Sequence, residues 1–264
     1  MEEYTKTPKT HVIVGFQASG RFHLGHYLIL KNLLKDKLKN PDLKVTILIS
    51  DVHAKLNFKS NVEENTAYAI NFMQRLLPFA QIRISSDLVK DPVYWAYIQE
   101  FVNKISFNDI YRATPVDVKL GGFEELKSVS GNYFLYSVMQ CVDGFYLGGD
   151  SIYCGVDQRK IYMLAYDTYS KLGWPKFNLK MFPLVSMGGT ETNDHAQKMS
   201  KSKKCIKLDS KLVESAQKEL LQGDTYLKYI LSESFLQTYN SKSKTEFLTQ
   251  LIEDLQFTTE IEFL

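Results

Sequence analysis

The stretch His11–His26, HVIVGFQASGRFHLGH, contains the change of period that decides the fold. Its opening run His11–Phe16 (HVIVGF), dominated by Val and Ile, reads as a buried strand. Gly20 then sits in a turn. From Leu24 to about Leu38 the apolar residues Leu24, Tyr27, Leu28, Leu30, Leu34 and Leu38 recur at helical spacing. A strand, a glycine turn and a helix in that order bring a helix N-terminus, with its unpaired N–H groups and partial positive charge, to the end of a sheet, where it suits a phosphate. Gly20 and Gly25 let backbone approach a ligand with no side chain in the way. His23 and His26 stand three apart, so both imidazoles are expected to project from one helical turn and to be within reach of one phosphate. A bare HxxH is more often a helix start with capping or core histidines, and a metal site here lacks a third ligand at workable spacing. No protein-held metal is expected.

The same alternation extends outward from this stretch. Lys44–Ser50 (KVTILIS) is a second strand, Val62–Phe79 a second helix and Gln81–Ser85 (QIRIS) a third strand. After an interruption, Ser151–Val156 (SIYCGV) is a fourth strand and Asp157–Leu172 its helix. Such alternation predicts an α/β, Rossmann-like parallel sheet covered by helices on both faces, with ligands taken at the carboxyl ends of the strands. The interruption, about 88–135, holds helical stretches such as Val93–Ile105 together with Gly121 and Gly122, and reads as a helical insertion between the halves of the sheet. From Ser210 onward only helix signals remain, in Val213–Leu221, Tyr226–Leu236 and Lys244–Leu255. The expected division is a catalytic domain over 1–208 and a short helical appendage over 209–264.

Composition agrees with a globular chain: 264 residues, 44% of them hydrophobic, enough for one full-sized core. With 32 Lys and Arg against 30 Asp and Glu, charge neither announces nor excludes a nucleic-acid partner. Cys141, Cys154 and Cys205 have neither the pairing nor the CxxC spacing of a disulfide framework or a zinc site. The start lacks the apolar stretch of a signal peptide, and no apolar run approaches membrane-spanning length. A cytoplasmic protein, not a membrane one, is expected.

A second motif lies beyond the strands: Lys198-Met-Ser-Lys-Ser202, a loop whose two lysines could clamp polyphosphate. Together, in this order, HLGH and KMSKS resemble the two signature sequences of class I aminoacyl-tRNA synthetases. Ser50-Asp-Val-His-Ala-Lys-Leu-Asn57, Tyr136-Ser-Val-Met-Gln-Cys-Val-Asp143 and Gly155-Val-Asp-Gln-Arg-Lys160 are similar to segments of tyrosyl-tRNA synthetases of the archaeal and eukaryotic type. The resemblance covers roughly Val12 to Asp209.

The resemblance implies ATP as cosubstrate, magnesium bridging its phosphates, and transfer of tyrosine to tRNA. His23 and His26 would contact the phosphates, and Lys198 and Lys201 would stabilise the departing pyrophosphate. Gly15, Gly25, Asp157, Met199 and Ser200 would complete the nucleotide site. Tyr136, Gln140 and Gln158 would hold the amino group of the substrate, Asp143 its phenol hydroxyl, and His53 lies in the matching segment after the second strand. Independently of any family, Tyr136, Gln140 and Asp143 fall at i, i+4 and i+7 on one helix face. A core stripe is the plain alternative, yet Gln and Asp are poor core residues without partners.

Two features depart from the family pattern. A tyrosine usually shares the phenol hydroxyl with the aspartate, and Ile13 stands in its place unless Tyr133 or another residue supplies the contact. Sites that bind a substrate hydroxyl reject the analogue lacking it by about 10⁵-fold, a value tyrosyl-tRNA synthetases themselves provide, so weaker rejection of phenylalanine or an altered side-chain preference is expected. The region after the KMSKS loop is shorter than the usual anticodon domain, leaving acceptor-stem binding along the insertion as the expected tRNA contact. Family members are usually homodimers, so a dimer is expected. An adenylate-forming paralogue with another specificity or acceptor, and a non-catalytic tRNA-binding descendant, remain alternatives.

Overall fold

The computed structural model describes residues 2–3, 10–113, 130–182, 186–187 and 197–198. After a two-residue strand β1 (Glu2–Glu3), β2 (His11–Gln17) runs parallel to β3 (Lys44–Ser50), from His11 opposite Lys44 to Gln17 opposite Ser50. β4 (Gln81–Ile84) continues the sheet beyond β3. β5 (Ser151–Gly155) and β6 (Asn178–Phe182) extend it on the other side of β2, also parallel. β1 adds antiparallel to β6, giving the order β1-β6-β5-β2-β3-β4. Five parallel strands with helices between them form the Rossmann-like α/β fold that the alternation predicts. The chain leaves β2 through β3 to β4 and returns to β5 and β6 on the opposite side. Direction therefore reverses between β2 and β5, and open sheets take ligands in the crevice at that point.

The helices are α1 (Leu24–Lys39), α2 (Asp51–Leu56), α3 (Val62–Leu76), α4 (Ser85–Leu88), α5 (Pro92–Val102), α6 (Phe107–Ala113), α7 (Asn132–Tyr146) and α8 (Arg159–Leu172). A short antiparallel pair, β7 (Ser186–Met187) and β8 (Gln197–Lys198), follows. Val12, Val14 and Phe16 pack with Leu30 and Leu33 of α1 and Ala69 and Met73 of α3. Leu48 and Ile152 pack on the other side with Val138, Met139 and Val142 of α7 and Ile161 and Ala165 of α8. Helices on both faces are the reason β3 reads as an almost unbroken apolar run.

Asp150 pins the amino ends of the central strands. Its carboxylate accepts from the N–H groups of Thr10 (2.8 Å) and His11 (3.1 Å) and from the Ser151 hydroxyl (2.8 Å). Its own N–H donates to the His11 carbonyl, and the Asn178 N–H donates to the Asp150 carbonyl. One residue thus holds the starts of β2, β5 and β6 together.

The sequence predictions differ from the structure in a few places. The second helix ends at Leu76 rather than Phe79, because Leu77 precedes Pro78 and leaves the helical region at φ −132°. The third strand stops at Ile84, since the Ser85 hydroxyl and the Ser86 N–H both turn to donate to the buried Asp51 carboxylate, at 2.7 and 2.9 Å. The helix expected from Asp157 begins at Arg159, after a tight 3₁₀ turn over Val156–Gln158. Helices α2, α4 and α6 and strands β1, β6, β7 and β8 went unpredicted. In β6 the polar Asn178 and Lys180 break the apolar run, yet Lys180 is buried through an ion pair with Asp36 of α1 at 3.0 Å. The Tyr153 hydroxyl donates to the same carboxylate. In the interruption, the expected helical stretch Val93–Ile105 is met by α5 (Pro92–Val102), and α6 follows it. Residues 114–129 and the three C-terminal helices expected within 209–264 lie outside the described residues, as does the boundary at 208. No helix among the described residues is long and apolar enough to cross a membrane.

Candidate active site

Three segments reach the carboxyl end of the sheet beside the switch point: the turn after β2, helix α2 after β3, and the 3₁₀ turn after β5. In the first, Gly15 offers bare backbone, where an added Cβ would meet only Ser50 Oγ at 3.9 Å. Gly20 turns the chain at φ +141°, a conformation that suits glycine. His23 stands just ahead of α1 rather than within it, and its carbonyl accepts the first helical bond, from the His26 N–H at 2.8 Å. The His23 N–H donates to His26 Nδ1 at 3.1 Å, and the same ring nitrogen lies 3.3 Å from the His23 carbonyl oxygen. The two imidazole centroids are 3.9 Å apart, so the pair is brought together as the spacing predicts. Phe16 and Phe22 stand edge-on to His26 and fix its ring. Gly25 lies in the first turn of α1.

The second cluster is built on α7. Tyr136, Gln140 and Asp143 share the face that looks toward α2 and the 3₁₀ turn. Gln140 Nε2 donates to Gln158 Oε1 at 2.8 Å, and Gln158 Nε2 to Asp157 Oδ2 at 3.0 Å, joining α7 to the turn after β5. His53 of α2 meets the Tyr136 ring edge-on at 5.1 Å. Its Nε2 lies 3.3 Å from Asp143 Oδ2, in contact but without the direction of a hydrogen bond. Asp143 Oδ1 accepts from the Tyr94 hydroxyl of α5 at 2.8 Å. His53, Asp143 and Tyr94 expose 2%, 5% and 0% of their surface, so water screens none of these contacts. Sequence reasoning named every member of this cluster except Tyr94. That residue lies in the interruption, and nothing in DPVYWAYI distinguishes its aromatic rings from core packing.

Burial governs the electrostatics here. It pushes the Asp143 carboxyl up to about 7, against the opposing pull of the Tyr94 bond. Burial also pushes His53 down to about 4, with the Asp51 charge opposing it, so the imidazole is neutral at pH 7. The Tyr136 phenol is pushed up to about 12 by burial first and then by the charges of Asp157 and Asp143. Both ring nitrogens of His53 and Gln140 Oε1 are buried with no hydrogen-bond partner among the described residues. Buried polar atoms of this kind ordinarily find partners.

Ile13 is buried on β2, and its Cγ1 lies only 2.2 Å from where a Cβ on Gly149 would stand, against the turn behind α7. Among the described residues it is Tyr94, not Tyr133, whose hydroxyl reaches Asp143. Lys198 falls in β8. Met199, Ser200 and Lys201 lie outside the described residues.

The sequence matches the family model of tRNA synthetases class I (W and Y) over residues 5–255. It is 32% identical over 193 residues to a tyrosine–tRNA ligase 2 of Pyrobaculum aerophilum, covering 72% of this chain and 59% of that protein. It is 33% identical over 207 residues to a tyrosine–tRNA ligase of Sulfurisphaera tokodaii, covering 72% and 56%. The chain thus spans less than two thirds of the length of these curated relatives. Among solved structures, the tyrosyl-tRNA synthetase of Archaeoglobus fulgidus complexed with L-tyrosine superposes with a TM-score of 0.66 at 25% identity, covering 81% of this chain and 65% of that one. The tryptophanyl-tRNA synthetase of Encephalitozoon cuniculi bound to tryptophan shares the fold, with a TM-score of 0.64 at 18% identity over 96% of this chain and 79% of that one.

Proposed function

The chain belongs to the class I tRNA synthetases of the W and Y group, and from that premise we propose that it is a tyrosine–tRNA ligase. A carboxylate oxygen of tyrosine attacks the α-phosphorus of ATP, the new O–P bond forms as pyrophosphate leaves, and a ribose hydroxyl of the tRNA then takes the tyrosyl group as the acyl–phosphate bond breaks and AMP leaves. No protein nucleophile is needed, so catalysis is positioning and electrostatics. His23 and His26 donate to the phosphates from the start of α1, and Lys198 and Lys201 neutralise the departing pyrophosphate, with Met199 and Ser200 between them. Gly15 and Gly25 provide close backbone approach, and Asp157 takes the ribose. Magnesium would arrive with ATP and supply counter-charge to its phosphates. Tyr136, Gln140 and Gln158 hold the substrate ammonium, while His53 and Asp143 close on its ring and hydroxyl.

What carries this reading is the cluster on α7. Gln140 Oε1 is a buried acceptor with no partner among the described residues, suited to an ammonium, and Asp143 is a buried acceptor suited to a phenol hydroxyl. They lie at i and i+3 on the same face of α7. The same reading includes a homodimer, contact with the tRNA acceptor stem and a cytoplasmic location. The test is amino-acid-dependent exchange of pyrophosphate into ATP across all twenty amino acids, with His26→Ala as control. Tyrosine-dependent exchange that falls about a hundredfold in the control is expected, the usual loss on removing one charge-stabilising donor. Exchange with another amino acid, tryptophan included, would replace tyrosine in the proposal, and no exchange at all would end the ligase reading.

A further inference from the structure

We propose that Tyr94 is a positioning residue that compensates for the apolar Ile13: by bonding one oxygen of Asp143 it aims the other at the substrate hydroxyl, so that the pair sets the preference of the pocket for a phenol over a bare phenyl ring. The inference rests on the tyrosine reading above and assigns a specificity residue to the same site. On β2 the side chain of Ile13 is wedged against Gly149 and carries no polar atom. From the opposite direction, α5 delivers the Tyr94 hydroxyl to Asp143 Oδ1 at 2.8 Å. The ring is held edge-on by Tyr146 of α7 at 5.1 Å and by Trp95 at 5.9 Å, so the hydroxyl is placed by the packing of α5 on α7.

The donor and acceptor inventory leaves this pair acceptor capacity for a substrate hydroxyl. Tyr94 spends its one proton on Oδ1 and retains oxygen lone pairs. Asp143 Oδ2 keeps its acceptor capacity, with His53 Nε2 3.3 Å away and misaligned. A phenol O–H arriving beside Oδ2 gains a charge-assisted bond to an acceptor whose direction Tyr94 has fixed. A phenyl ring at the same place covers both oxygens and donates to neither, and covering buried acceptors without a donor is what makes such sites selective. A purely structural tie between α5 and α7 would instead change stability and leave selectivity alone.

The deciding variant is Tyr94→Phe, which keeps the ring and removes one oxygen. Pyrophosphate exchange is measured with tyrosine and with phenylalanine on the same preparation, before and after the substitution. The ratio of the two kcat/KM values cancels any difference in folded fraction. The expected result is a ratio lowered about three- to tenfold, because the carboxylate oxygen that meets the substrate hydroxyl is no longer held in line, with phenylalanine use little changed. An unchanged ratio, with tyrosine exchange intact, overturns this inference alone and leaves Tyr94 a structural tie. A parent chain that favours phenylalanine overturns it as well, because Tyr94 would then fill the place of the substrate hydroxyl. No tyrosine-dependent exchange in the parent chain removes the ligase reading and this inference with it.

Discussion

Asp143→Asn should strengthen the fold in alkali while weakening the use of tyrosine. In the folded chain, burial raises this carboxyl from 3.8 to about 7. A group whose folded value lies above its unfolded one takes up a proton on folding. Its contribution is present in full below 3.8 and is lost as pH rises through about 7. By pH 8.5 that loss amounts to at most roughly 4 kcal/mol. Asn has no charge to desolvate. Its Oδ1 still accepts from Tyr94, and its amide can donate toward His53 Nε2, an atom with no hydrogen-bond partner among the described residues. Urea unfolding of both proteins at pH 8.5 and at pH 5 should therefore show a gain for the variant that shrinks as the solution is acidified. In the same variant kcat/KM for tyrosine should fall about ten- to hundredfold, since a charged acceptor has become a neutral one. A variant destabilised as much at pH 8.5 as at pH 5 would refute the buried-charge argument. Unchanged use of tyrosine would refute the assignment of its hydroxyl to Asp143.

Gly149→Ala should lower stability by about 1–3 kcal/mol, because its Cβ would stand 2.2 Å from Ile13 Cγ1 and 3.3 Å from the Gly144 carbonyl. Adding Ile13→Ala removes the first clash and should recover part of that loss in a double-mutant cycle, whereas strictly additive effects would contradict the contact. Lys180→Met strips Asp36 of its buried ion pair and should cost about 3 kcal/mol in urea unfolding at neutral pH. A loss below about 1 kcal/mol would show that the Tyr153 hydroxyl suffices for that carboxylate.

Most of the sheet was legible because parallel strands covered on both faces leave long Val and Ile runs, as in Val12–Val14 and Val45–Ile49. Strand β6 was hidden because the partner of Lys180 lies 144 positions away, and a buried lysine without a visible partner reads as a surface residue. Helix α2 was too short for its period to register, although its histidine was legible from the resemblance. The i, i+4, i+7 spacing of Tyr136, Gln140 and Asp143 placed three site residues on one face, and packing brought Gln158 and His53 to them. Tyr94 had no such pattern. It becomes a candidate only once α5 is docked on α7, because the identity of the atom beside Asp143 is a property of tertiary packing.

The clasp at Asp150 has a mechanical consequence. It closes the amino ends of β2 and β5, while the ladder between these strands ends at Val14 and Tyr153. The pair behaves as forceps welded at the heel, with tips at Gly15 and Gly155. The clasp fixes the spacing of the two strands at the heel once the chain has folded. A ligand arriving at the tips therefore gives up little conformational entropy of the protein in settling there.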